Sequence, residues 1–140
     1  MSVRVPDRRL SSMQYVHNAQ QIANLTKDRI SKYVNKIANQ SRYKTFVKSS
    51  LYSIWNSPIC YAQKVYENCL LANKKRLPDE RLALLDNACR NLDLLEAAMQ
   101  TFYDKFKLVV KDKFIELLTE KIDCQRRLLE GCKEWARNAS

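Results

Sequence analysis

Apolar residues recur at steps of three and four through nearly the whole chain, and this periodicity limits what the chain can fold into. Only one glycine and three prolines occur in 140 residues. So few breakers exclude a turn-rich all-β fold, and 46% hydrophobic residues are too many for intrinsic disorder. We therefore predict one all-α domain over residues 1–140, in which residues 1–10 form a basic N-terminal extension.

The apolar spacing predicts four long helices joined by short connections. The first begins at an N-cap at Ser11 or Ser12 and fades in the polar run 39–41. The second covers about 42–73, the third starts at Pro78, and the fourth covers about 112–136. Four such helices with short loops favour an up-down-up-down four-helix bundle.

Pro58 lies inside the second predicted helix and allows two interpretations. A proline removes one backbone hydrogen bond, so the helix either kinks there or breaks into two shorter helices at residues 56–58. The apolar stripe keeps its phase on both sides of Pro58, so we favour a kink.

The fourth helix carries two apolar seams, although one would close a bundle. The first seam comprises Ile115, Leu118, Ile122, Gln125, Leu129 and Cys132. The second comprises Phe114, Leu117, Lys121, Cys124, Leu128 and Trp135. A second seam suggests packing against another subunit, so we predict an oligomer interface at Phe114, Leu117, Leu128 and Trp135. The alternative is that small bundles vary in the width of their apolar stripe.

No catalytic or metal-binding motif is visible. Gly131 is the sole glycine, which excludes a Gly-rich phosphate loop, and His17 is the sole histidine, which excludes the usual zinc spacings. We therefore expect no enzyme activity, no cofactor and no metal. The five cysteines are expected to be reduced thiols in a cytoplasmic protein, since no signal peptide or membrane-spanning stretch is predicted.

Positive charge is concentrated in the first half of the chain. Residues 1–78 contain 14 basic and 3 acidic residues, whereas residues 79–140 contain 11 basic and 12 acidic ones. The chain carries no acid between Arg29 and Tyr66, and such an uncompensated basic face favours nucleic acid over mere solvation. The predicted nucleic-acid-binding residues are Arg8, Arg9, Arg29, Lys32, Lys36, Arg42, Lys44, Lys48, Lys74, Lys75 and Arg76.

The N-terminal run Val5-Pro6-Asp7-Arg8-Arg9-Leu10-Ser11-Ser12-Met13-Gln14 resembles the opening of the accessory variability determinant (Avd) proteins of diversity-generating retroelements. These proteins belong to a four-helix-bundle family that includes the ribosomal RNA intervening-sequence proteins. Further similarities are Arg42-Tyr43 at the start of the second helix, Leu71-Ala72-Asn73 at its end, and Trp135 near the C-terminus.

The resemblance implies a homo-oligomer, a pentamer of four-helix protomers, with a basic surface. It implies association with the retroelement's reverse transcriptase and with its template RNA, with DNA as a second nucleic-acid ligand. In that role the protein is a non-catalytic subunit needed for mutagenic complementary DNA synthesis. The alternative is an intervening-sequence type of bundle protein with general nucleic-acid binding and no reverse transcriptase partner. A membrane-surface helix protein ranks last, because one core can absorb all four apolar stripes.

Overall fold

The computed structural model describes the backbone of residues 5–39 and 48–139 and the side chains of residues 13–39 and 53–139. Its four α-helices are α1 (Val5–Ala38), α2 (Lys48–Lys74), α3 (Pro78–Lys105) and α4 (Asp112–Asn138). No strand occurs in these described ranges, so the all-α prediction is confirmed.

The helix starts show one correct prediction and one error. At α3, Pro78 occupies the first turn with Asp79 and Glu80, where a fixed φ and negative charge both suit a helix N-terminus. The N-cap predicted at Ser11 or Ser12 is wrong, because α1 already begins at Val5. Pro6 followed by Asp7 is the same start signal, so most of the predicted extension belongs to α1.

The four helices pack in a ring around one hydrophobic core. α1 contacts α2 and α4, and α3 likewise contacts α2 and α4. Every helix contributes buried apolar side chains, which include Ile22 and Ile30 of α1, Val65 of α2, Leu92 and Phe102 of α3, and Leu118 and Leu129 of α4. The predicted four-helix bundle is confirmed, and its up-down-up-down topology stays a prediction.

Helix α2 runs without interruption through Pro58. This continuity excludes the alternative of two helices broken at residues 56–58. Proline has no N–H to donate to the carbonyl of Ile54, whereas the hydroxyl of Ser57 donates to the carbonyl of Ser53 at 2.8 Å. The kink at Pro58 stays a prediction.

The first apolar seam of α4 lies in the core and carries one buried amide, that of Gln125. Its Nε2 donates to the carbonyl of Tyr15 at 2.9 Å, and its Oε1 accepts from Nδ2 of Asn18 at 2.9 Å. Buried polar groups are costly unless they are paired, so these two bonds stabilise one specific alignment of α4 against α1.

All five cysteines are free thiols, as predicted. Burial raises the pKa of the Cys69 thiol to about 12, which keeps it protonated at neutral pH. Within the part of the chain that the structure describes, none of the helices combines the length and apolarity needed to cross a bilayer.

Candidate nucleic-acid interface

Four basic side chains line one open cleft of about 260 Å³. Arg29, Lys32 and Lys36 come from α1, where steps of three and four residues place them on one face. Lys111 comes from the connection between α3 and α4 and faces them. We call this set of four residues the basic cleft.

Tyr33 holds the two sides of the basic cleft together. Its ring is buried and packs against Phe114 with 5.7 Å between ring centroids. Its hydroxyl accepts a hydrogen bond from the backbone N–H of Lys111 at 3.3 Å. Lys111 is also the N-cap residue of α4, so the positive end of that helix dipole lies beside the same cleft.

The basic cleft is poorly neutralised. Nζ of Lys32 lies 3.3 Å from a carboxylate oxygen of Asp28, but both side chains are largely exposed, so the pair contributes at most about 1 kcal/mol. No carboxylate of the described side chains lies within ion-pair distance of Arg29, Lys36 or Lys111. Uncompensated cations at this spacing are suited to bind phosphate groups.

The other predicted binding residues divide into two groups. The first group comprises three exposed residues that do not line the basic cleft: Lys74, the last residue of α2, and Lys75 and Arg76 in the α2–α3 connection. The second group lies outside the described side chains and comprises Arg8, Arg9, Arg42, Lys44 and Lys48. Among the predicted residues whose side chains are described, the structure therefore brings the three α1 residues together in this cleft.

Sequence reasoning missed Lys111, which is assigned above to the electrically balanced half of the chain. The local signal was present, because Lys105, Lys107, Lys111 and Lys113 fall within nine residues around the α3–α4 connection. In the total charge of residues 79–140, this local excess of positive charge is cancelled by acids that are located elsewhere on α3 and α4.

Those acids form a second charged region, between α3 and α4. Arg126 donates to Glu96 at 2.9 Å and to Asp93 at 2.8 Å, and Glu96 is the main reason that the pKa of Arg126 is raised. Lys133 pairs with Asp86 at 3.1 Å and with Glu130 at 3.2 Å. We call these contacts of Arg126 and Lys133 the charge seam.

The predicted oligomer-interface residues have different environments. Phe114 is buried inside the protomer against Tyr33, so its assignment to a subunit interface is corrected. Leu128 is half-buried and packs against the core, whereas Leu117 is 41% exposed and Trp135 is 57% exposed. The guanidinium carbon of Arg81 lies 4.9 Å from the centroid of the Trp135 ring.

Comparisons with known proteins supply no relative, since no family model, no curated protein and no solved structure matches the chain. Among the described residues, no three His, Cys, Asp or Glu side chains are grouped so that they could hold a metal ion. The basic cleft, with its four clustered cations, is the feature of the described residues whose chemistry suits a polyanionic ligand.

Proposed function

We propose that this chain is a non-catalytic accessory protein of a diversity-generating retroelement, which binds template RNA and the reverse transcriptase to support mutagenic complementary DNA synthesis. The observation that carries the proposal is the basic cleft, in which three of four cations have no described carboxylate partner. The resemblance of residues 5–14 to the Avd proteins supplies the retroelement context.

In this role the basic cleft binds RNA through its phosphates. Arg29 can donate two parallel hydrogen bonds to one phosphate, while the three lysines act as point charges along the backbone. Such contacts neutralise charge and release counterions without reading bases. RNA held in this way is positioned for the reverse transcriptase, which performs the chemistry.

The same proposal includes a cytoplasmic homo-oligomer, a pentamer by resemblance. Leu117 is an exposed apolar residue on the second seam of α4 and is available for a contact with another subunit. Several copies of the basic cleft in one particle would hold a long RNA through avidity, because each further contact is intramolecular.

The experiment reconstitutes complementary DNA synthesis with the retroelement reverse transcriptase that the proposal requires. The test variant is Lys36→Glu with Lys111→Glu, and the matched control is Arg90→Glu with Arg127→Glu, two exposed arginines outside the cleft that change the net charge equally. We expect the test variant to lose synthesis while the control retains it, with unchanged particle mass in both.

Two results would contradict the proposal. If the wild-type protein neither binds the reverse transcriptase nor raises its yield, the retroelement role is wrong. General nucleic-acid binding by an intervening-sequence type of protein would then be the better account. If the control variant loses synthesis and the cleft variant keeps it, the binding face is wrong.

A further inference from the structure

Trp135 is a large aromatic side chain left outside the core in the last turns of α4. It is 57% exposed, although burying an aromatic ring of this size is strongly favourable. The Arg81 guanidinium lies over the ring at 4.9 Å from its centroid. One side of the ring is therefore covered by a cation, and the remaining ring surface is accessible.

The Arg81 side chain lies near both the Trp135 ring and the Tyr15 hydroxyl. Its backbone N–H donates to the carbonyl of Leu77 at 3.1 Å, and its Nε atom is buried with no hydrogen-bond partner among the described atoms. The guanidinium also lies near the Tyr15 hydroxyl. Burial raises the pKa of that hydroxyl to about 12, and Arg81 opposes the rise. Arg81 thus connects the Trp135 ring to the Tyr15 side chain.

A chain of contacts places three exposed cations close to the Trp135 ring. The Tyr15 hydroxyl donates to Oδ1 of Asn73 at 3.2 Å, and Asn73 immediately precedes Lys74, Lys75 and Arg76, which we call the basic loop. No carboxylate of the described side chains lies within ion-pair distance of these three residues. The accessible ring and the uncompensated cations thus occupy the same end of α3 and α4.

We infer that Trp135, backed by Arg81, is a stacking platform for an unpaired base of single-stranded RNA, with the flanking phosphates on the basic loop. Stacking on an aromatic ring beside a basic track is how proteins bind single strands without reading sequence. The inference rests on the proposed function, because it specifies which form of RNA is bound. It adds a second contact region, since Trp135 lies 24 residues beyond Lys111, or about 36 Å along α4.

Charge favours RNA over a second copy of the chain as the occupant. A symmetric contact through Trp135 would bring the basic loops of two protomers together, and like charges at close range repel. A nucleic acid brings negative charge and apolar base faces to the same surface. A subunit contact is nevertheless one of the outcomes that the experiment separates.

The experiment compares three probes: a short single-stranded RNA, an abasic oligomer with the same number of phosphates, and an RNA duplex. For Trp135→Ala we expect about tenfold weaker binding of the single strand and unchanged binding of the abasic oligomer and the duplex. Trp135→Phe keeps a ring and should restore most of the affinity. In a Trp55→Phe background, the single strand should quench Trp135 fluorescence and the abasic oligomer should not.

Other outcomes of this experiment would overturn either the stacking platform or the proposed function. Equal losses on the single strand and the abasic oligomer, or no quenching of Trp135, would overturn the stacking platform. A change in particle mass for Trp135→Ala would place the residue at a subunit interface and would also overturn it. Failure of the wild-type protein to bind any of the three probes would instead contradict the proposed function.

Discussion

The basic cleft and the charge seam are built from the same kinds of side chain, yet their cations are used differently. In the charge seam, Arg126 and Lys133 each pair with carboxylates of both α3 and α4, so their positive charge is neutralised within the protomer. In the basic cleft only Lys32 has a carboxylate partner among the described residues. The presence of arginine and lysine alone would not distinguish the two regions, whereas the pairing of each cation does. Unpaired cations, rather than basic residues in general, therefore indicate a surface for a polyanion.

The largest effect on stability is expected in the charge seam. Arg126→Glu would place a carboxylate against Asp93 and Glu96, replacing two attractive contacts with repulsion. We expect the free energy of unfolding to fall by about 2 kcal/mol, less than for a fully buried pair because the Arg126 side chain is 34% exposed.

Chemical denaturation measures this change, and the neighbouring exposed residue provides the control. Arg127→Glu introduces the same charge one position away, and we expect its unfolding free energy to stay within about 0.5 kcal/mol of wild type. Equal losses in the two variants would show that net charge, and not the specific contacts of Arg126, determines stability.

The second effect is a dependence on alkaline pH. The hydrogen bond to Asp86 is the main reason that the pKa of Lys133 is raised above its usual 10.5, against the opposing effect of burial. A raised folded-state pKa means that this stabilisation is complete below pH 10.5 and is lost as pH rises through the folded value. Between pH 9 and 12, the free energy of unfolding of wild type should fall by on the order of 1 kcal/mol more than that of Lys133→Met.

Thermal or urea unfolding across that pH range tests whether the Lys133–Asp86 contact causes this loss of stability. Burial raises the pKa values of Tyr15 and Cys69 to about 12 each. Both groups therefore weaken the fold at alkaline pH in every variant, because they ionise first in the unfolded chain. The control is Lys36→Met in the basic cleft. Its free energy of unfolding should decline with pH as that of wild type does. If the stability of Lys133→Met falls with pH as much as that of wild type, the Lys133–Asp86 contact is not the source of the extra loss.

The smallest expected effect is in the basic cleft. Lys32 and Lys36 form a like-charge i,i+4 pair on α1, and such pairs destabilise a helix slightly. Lys36→Glu converts the repulsion into an attraction, but it also puts a negative charge in the last turn of α1, at the negative end of the helix dipole. These effects oppose each other, so we expect stability to stay within about 0.5 kcal/mol of wild type. A loss of more than about 1 kcal/mol on denaturation would mean that Lys36 has a structural partner, and the contrast with the charge seam would fail.

Local periodicity was sufficient to predict the helices and most of the core. The steps of three and four placed Ile22, Ile30 and Ile37 of α1 on one face, and all three are buried. The same rule explains why Arg29, Lys32 and Lys36 line one cleft. These features depend on residues within one helix, which a sequence displays directly.

Contacts between distant segments could not be predicted in the same way. Lys111 reaches the basic cleft because its backbone N–H bonds the hydroxyl of Tyr33, 78 positions earlier. Spacing alone assigns Phe114 to the second seam of α4, yet its ring packs against Tyr33 inside the protomer. Spacing gives the face of a helix on which a residue lies, but the neighbouring helix determines whether that face is covered.

The position of Lys113 makes it unsuitable as a control for RNA binding. Lys113 lies in the second half of the chain and looks like a neutral control position from charge counts alone. It is two residues from Lys111, so reversing its charge would alter the potential at the basic cleft itself. Arg90 and Arg127 avoid this problem, because neither lines the cleft.

The salt dependence of RNA affinity tests the central claim most directly. For single-stranded RNA, the slope of log affinity against log salt is about −0.7 per phosphate neutralised. Lys36→Glu with Lys111→Glu should therefore flatten the slope by about 1.4 for every RNA sequence, while Arg90→Glu with Arg127→Glu leaves it unchanged. A flattened slope in the second variant together with a wild-type slope in the first would contradict the account.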